Sequence, residues 1–105
     1  HALETLTGYG ELPHGEAVAI GMAKATLLSE KSGISIPGTA LKVKNVLKNN
    51  GLPVETDVKM TELAEIMKND KKNICGKLNN VFLKDIGEAG LFSMTVPEFV
   101  AMEDV

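Results

Sequence analysis

The stretch that decides the fold lies near the start of the chain: Leu12-Pro13-His14-Gly15-Glu16-Ala17-Val18-Ala19-Ile20-Gly21-Met22. A proline at the entry and an acidic residue in the first turn predict a helix from Gly15 to about Ser32. Small residues recur every four positions along it, so one face should let another helix approach closely. That face consists of Ala17, Gly21 and Ala25. We expect this helix to lie in the middle of a helical bundle.

Other helices are predicted where apolar residues recur at helical spacing between glycine and proline. One such pattern covers Gly38–Asn50 and ends at a glycine. Another begins at Thr61, a typical N-cap residue, and runs to Asn69 or Asp70. His1–Leu6 has the composition of a short helix followed by a glycine-rich loop.

The last third of the chain changes character from helical to extended. Apolar runs at Val81–Leu83 and Leu91–Thr95, with glycines between them, predict two short strands or extended arms. Val96 and Pro97 then begin a last short helix. The expected fold class is therefore mainly α, a helical, bundle-like domain with a short extended or β-hairpin insert.

Length and composition bound the possible functions. The 105 residues, 44% of them hydrophobic, suffice for one domain. A net charge of -3 with scattered basic residues and few aromatics gives no footprint for nucleic acid. The longest apolar run, Ala17–Ala23, is too short to cross a bilayer, so we expect a cytoplasmic protein without a membrane partner. Cys75 is the single cysteine, which excludes an internal disulfide and a cysteine-based zinc cage.

The two histidines are the candidate metal ligands. A catalytic zinc usually takes three protein ligands, so His1 and His14 need a carboxylate such as Glu4 or Glu16 to complete a site. We expect His14 to stand at a buried helix start, where an imidazole is costly unless its lone pair is used. A histidine there can equally be a cap or a packed, hydrogen-bonded side chain. The residues alone leave the metal role and the structural role open.

A set of motifs spread over the whole chain is more specific than these two histidines. The motifs are His1-Ala2-Leu3-Glu4, Gly8-Tyr9-Gly10, the Leu12–Met22 stretch, Gly51-Leu52-Pro53, Asp70-Lys71-Lys72, Gly76-Lys77-Leu78 and Ile86-Gly87. In residue type, order and interval they resemble the C-terminal domain of the 3-dehydroquinate synthase family. The His-Gly-Glu-Ala-Val block and the later Asp-Lys-Lys turn are the most specific parts of the resemblance.

The resemblance implies a role for three residues of this sequence. His1 matches a histidine that the family uses near the substrate for proton transfer, and His14 matches a zinc ligand. Lys71 matches a substrate-binding lysine that meets an anionic group, and Lys72 is the weaker candidate for that role. The family's other two metal ligands, a glutamate and an upstream histidine, have no counterpart here. No residue of this chain is assigned to cofactor binding.

The resemblance also implies the activity of the family. Its members use NAD and a divalent metal, zinc or cobalt, to convert 3-deoxy-D-arabino-heptulosonate 7-phosphate into 3-dehydroquinate and phosphate. This lyase reaction belongs to the shikimate pathway, which leads to aromatic amino acids. The family's NAD site lies in an N-terminal domain, and the enzyme is expected to be a homodimer. We therefore expect residues 1–105 to be a C-terminal metal- and substrate-binding fragment that is inactive alone.

Two other interpretations are compatible with the residues. A related sugar-phosphate cyclase or an iron-type alcohol dehydrogenase carries a comparable helical metal domain. In a different class, a non-catalytic helical module would use the Ala17/Gly21/Ala25 face to pack against a partner or a second copy. Such a module should fold stably without metal.

Overall fold

The computed structural model describes residues 1–8, 12–67 and 77–102, which form helices and one hairpin. In chain order the elements are α1 (Ala2–Thr7), α2 (His14–Lys31), α3 (Thr39–Asn49), α4 (Met60–Met67), β1 (Lys77–Asp85), β2 (Glu88–Thr95) and α5 (Val96–Ala101). The mainly-α prediction is confirmed in outline, and the extended insert is a two-stranded antiparallel hairpin. No helix in these ranges has the length and hydropathy needed to cross a bilayer.

Helix α2 contributes to both hydrophobic clusters of the structure. The larger cluster joins α1, α2, α4, β1 and α5 through these buried side chains: Leu3, Ala17, Ile20, Leu28, Met60, Leu63, Ala64, Leu78, Phe82, Phe99 and Met102. The smaller cluster joins α2 to α3 through Ala19, Ala23, Val43 and Leu47. Burial of apolar surface on two faces explains part of the apolar character of α2. Its side chains Val18, Met22 and Leu27 are exposed and are not explained by either cluster.

The predicted close approach of another helix to the Ala17/Gly21/Ala25 face is wrong. Gly21 is exposed, and apart from its chain neighbours and the adjacent backbone of α2 no described atom lies within 4 Å of the position its Cβ would take. The helix that packs most extensively on α2 is α3, and it contacts the Ala19/Ala23 stripe, whereas Ala17 is buried in the larger cluster. Because α2 carries two stripes of small residues, the sequence does not tell which stripe will meet the neighbouring helix.

The helix boundaries confirm the local signals except at α4. α2 and α3 begin and end within a residue of their predicted limits. α4 begins at Met60, so Thr61 lies inside the helix and is not its N-cap. The backbone carbonyl of Lys59 accepts the N–H groups of Glu62 and Leu63 at 3.1 Å, which places the cap earlier. Met60 is almost completely buried, and its packing extends the helix by one residue. The predicted end at 69 or 70 lies outside the described residues.

The hairpin is longer than the predicted strands. β1 begins at Lys77 because Leu78 and Phe82, on one face of the strand, are both buried in the core. Asn79 and Asn80 interrupt the apolar alternation, and asparagine is unfavourable in strands, so the sequence pattern begins only afterwards. The turn at 86–87 places its glycine at a φ of 86°, a conformation that favours glycine.

A buried polar contact joins the end of α2 to the hairpin. The hydroxyls of Ser29 and Ser35 lie 2.7 Å apart, and both hydrogen-bond to the backbone carbonyl of Leu83 in β1. The N–H of Ile36 donates to the carbonyl of Lys84 at 2.9 Å. These bonds satisfy two buried hydroxyls, and they fix β1 against the end of α2.

Helix α5 begins with a capping box that the sequence analysis did not identify. The Thr95 hydroxyl accepts the N–H of Glu98 at 3.3 Å, and the Glu98 carboxylate accepts the N–H of Thr95 at 2.9 Å. The Thr-x-x-Glu spacing is the signal that could have found it. Hydrogen bonds from the Thr95 backbone and side chain hold the pKa of Glu98 below its ordinary value of 4.5. The stabilisation is therefore present above the ordinary pKa and is lost as pH falls through the lowered one.

We expect Thr95→Ala to lower the free energy of unfolding by about 1 kcal/mol, the usual effect of removing an N-cap hydroxyl. Thr61→Ala is the matched control, because Thr61 is exposed inside α4 and caps nothing. Its effect should stay within about 0.5 kcal/mol, as at other surface positions. Urea denaturation of the two variants and the wild type measures both values. Equal losses of unfolding free energy in the two variants would contradict the assignment of Thr95 as the N-cap of α5.

Candidate metal and substrate site

His1 precedes α1 and anchors that helix through its backbone. Its carbonyl accepts the backbone N–H and the side-chain hydroxyl of Thr5, both at 3.0 Å. The residue is exposed and forms part of the wall of a cavity beside α2. The structure therefore places His1 where its side chain can meet a small molecule.

His14 is the first residue of α2, and the expectation that it is buried is wrong. Its side chain is 68% exposed. The carbonyl of Pro13 accepts the N–H groups of Glu16 and Ala17 at 3.0 Å, and no side chain forms a cap hydrogen bond at this helix start. The His14 ring is therefore neither a helix cap nor part of the hydrophobic core.

The imidazole of His14 is held by one of the two carboxylates that the sequence analysis considered. Nδ1 of His14 lies 2.7 Å from Oε1 of Glu4, which comes from α1. An ionised carboxylate only accepts hydrogen bonds, so the proton of this bond sits on Nδ1. In the neutral ring the lone pair is then on Nε2, which has no hydrogen bond to any described residue. Glu16, the other carboxylate considered, makes no hydrogen bond to either histidine in the described parts of the chain.

This arrangement fits the contribution of one ligand to a metal site. Metal-binding histidines usually donate their second ring N–H to a carboxylate or carbonyl, and the His14–Glu4 pair has that form. Over residues 1–8, 12–67 and 77–102, no three His, Cys, Asp or Glu side chains come together to hold an ion. His14 can therefore present Nε2 to a divalent metal, and a complete site requires ligands from elsewhere.

A cavity of about 270 Å³ lies between α1, α2, α4, α5 and β1. Most of its wall is apolar, and its polar lining consists of His1, Lys24, Thr56 and Asn80. Nδ2 of Asn80 is buried and has no hydrogen-bond partner among the described residues. An unsatisfied buried donor costs about 1–3 kcal/mol, so this amide favours an acceptor in the cavity. Asn80 was not predicted from the sequence, although its position between Leu78 and Phe82 on one strand face is the signal for it.

The position of Lys71, the predicted substrate-binding residue, is not described by the structure. Lys71, its neighbour Lys72 and Cys75 lie outside the described residues. Of the three predicted site residues, the structure therefore places His1 and His14, each at the start of a helix, with Glu4 bound to His14.

Comparison with known protein families identifies the domain. The family model described as 3-dehydroquinate synthase C-terminal matches residues 1–73, a range that includes both histidines and Lys71. The chain belongs to the 3-dehydroquinate synthase family. The motifs from which the resemblance was inferred thus led to the correct family.

Individual 3-dehydroquinate synthases agree with the family match. A 3-dehydroquinate synthase of Clostridium perfringens (strain SM101 / Type A) is 41% identical over 100 residues, covering 94% of this chain and 29% of the relative. One from Leptospira interrogans (serovar copenhageni) is 46% identical over 87 residues, 83% of this chain and 24% of the relative. One from Endomicrobium trichonymphae is 43% identical over 89 residues, 85% of this chain and 25% of the relative. The chain therefore spans less than a third of the length of these curated relatives.

Proposed function

We propose that residues 1–105 form the C-terminal, bundle-like domain of a 3-dehydroquinate synthase. The whole protein would be a lyase that converts 3-deoxy-D-arabino-heptulosonate 7-phosphate into 3-dehydroquinate and phosphate in the shikimate pathway. The observation that carries the proposal is the family match over residues 1–73. The His14–Glu4 pair supports it independently, because it presents one imidazole in the form that a metal ligand takes.

The proposal divides the chemistry between this domain and a separate N-terminal NAD-binding domain. A bound zinc or cobalt ion would supply Lewis-acid polarisation of a substrate hydroxyl, and NAD would supply hydride-transfer chemistry. His14 would contribute Nε2 to the metal site. His1, in the cavity wall, would move protons to and from the substrate, a task that suits an imidazole near neutral pH. Lys71 would meet an anionic group of the substrate as a compact positive charge.

The remaining partners follow from the proposed activity. The whole protein would be a cytoplasmic homodimer that binds a small sugar phosphate and contacts neither nucleic acid nor membrane. The net charge of -3 supports the absence of a nucleic-acid surface. Sedimentation of the whole protein measures the dimer.

Phosphate release tests the proposed function. The whole protein, given the substrate, NAD and zinc, should release inorganic phosphate and form 3-dehydroquinate. The 105-residue chain alone should release none, because two metal ligands and the NAD site are expected in the rest of the protein. Product analysis by mass spectrometry separates this reaction from that of a related sugar-phosphate cyclase. Clear turnover by the chain alone, or a different product from the whole protein, would overturn the proposal.

A further inference from the structure

Glu4 of α1 and His14 at the start of α2 form a hydrogen-bonded pair in which the carboxylate is more shielded from solvent than the imidazole. The Glu4 side chain is 15% exposed, whereas the His14 side chain is 68% exposed. Oε1 of Glu4 holds Nδ1 of His14 at 2.7 Å, a length typical of a charge-assisted hydrogen bond. The bond therefore restrains the ring at one nitrogen and leaves the other nitrogen toward solvent.

Glu4 is carried by a helix that is itself held in place. Leu3 is buried in the larger cluster. The Thr5 hydroxyl donates to the carbonyl of His1 at 3.0 Å, and the Thr7 hydroxyl donates to the carbonyl of Leu3 at 2.8 Å. These contacts fix the position of the carboxylate before any ligand arrives, which lowers the cost of ordering the imidazole.

We propose that Glu4 is a positioning residue that orients His14 for metal binding. This inference rests on the proposed function, because it takes His14 as a metal ligand. Glu4 keeps the proton on Nδ1, so that Nε2 carries the lone pair, and its negative charge makes the imidazole a stronger electron donor. The carboxylate itself does not contact the metal or the substrate.

Zinc affinity of the whole protein, measured by competition with a chromophoric chelator, tests the role of Glu4. Glu4→Ala should weaken zinc binding about 10- to 100-fold, the usual effect of removing such a partner. Glu4→Gln should weaken it less, because the amide oxygen still accepts from Nδ1 but carries no charge. Glu62→Gln is the matched control: its carboxylate is exposed in α4 and forms no hydrogen bond with a described residue, so affinity should not change.

The visible spectrum of the cobalt-loaded protein provides a readout that a purely structural role would not change. Glu4→Ala should shift the cobalt absorption bands, since the ligand orientation changes, while the thermal melt of the metal-free protein keeps its cooperativity.

Each outcome of these measurements decides one part of the inference. If both Glu4 variants bind zinc as the wild type does while His14→Ala does not, the positioning role is overturned and the ligand role stands. If His14→Ala keeps wild-type zinc affinity, the ligand role in the proposed function is overturned. If the Glu4 variants lose affinity with an unchanged cobalt spectrum, Glu4 does not act through the orientation of His14, and the positioning role is overturned.

Discussion

Replacing His14 by alanine in the whole protein should lower zinc affinity by more than about 100-fold. Removing only the hydrogen-bond partner of a metal ligand typically lowers metal affinity 10- to 100-fold. His14→Ala removes the ligand itself, so we expect a larger loss. Among the described residues the exposed ring is held through Nδ1 alone, so it has no role in the core that would explain the loss differently. Elemental analysis after dialysis measures the metal content, and phosphate release should fall with it.

His1→Ala is the matched control for this prediction. It removes the other candidate histidine, which we place in proton transfer and not in the metal site. Metal content should stay at the wild-type level, while turnover should fall about 100- to 10,000-fold, the range for a lost acid–base group. Unchanged metal in His14→Ala, or lost metal in His1→Ala, would contradict the assignment of the two residues.

Replacing Phe82 by alanine should lower the free energy of unfolding by about 3–5 kcal/mol, the usual cost of removing a buried phenylalanine. The side chain is 2% exposed and lies in the larger cluster, and its ring centroid is 5.9 Å from that of Phe92 on β2. It also lines the cavity beside Asn80, so the space it vacates would merge with existing free volume. We therefore expect the surrounding side chains to fill little of this space, so that the full loss of unfolding free energy is observed.

Val81→Ala controls for the effect of alanine in the same strand. Val81 is adjacent to Phe82 on the opposite face of β1 and is 65% exposed. Its loss should stay within about 0.5 kcal/mol, as at other surface positions. Urea denaturation followed by circular dichroism measures both variants. A similar loss for the two substitutions would mean that the strand faces are reversed or that β1 adds little to the core.

Helix limits could be predicted from the sequence where they are set by residues within one or two turns of the helix end. α2 and α3 were predicted to within a residue, because the proline, the glycines and the helical spacing of apolar residues act over one or two turns. The start of β1 could not be predicted, because Asn79 and Asn80 are held in the strand by pairing with β2 rather than by their own preference. α4 began one residue early for a similar reason, the burial of Met60.

The candidate site was predicted in part. The motifs indicated the family and the two histidines, and the family match confirmed the former. The pairing of His14 with Glu4 and not Glu16 depends on how α1 lies against α2, which residue spacing does not reveal. The same holds for Asn80, because its side-chain nitrogen is seen to lack a hydrogen-bond partner in the described part of the chain only once the packing of β1 is known.

The sequence by itself determined the mainly-α class, the limits of α2 and α3 and membership of the family, since periodicity, caps and motifs are written in consecutive residues. Only the tertiary structure decided which small-residue stripe of α2 meets α3, how far His14 is exposed and which carboxylate holds it. These properties depend on distances between residues of different helices and strands, and such distances are settled by the packing of whole elements.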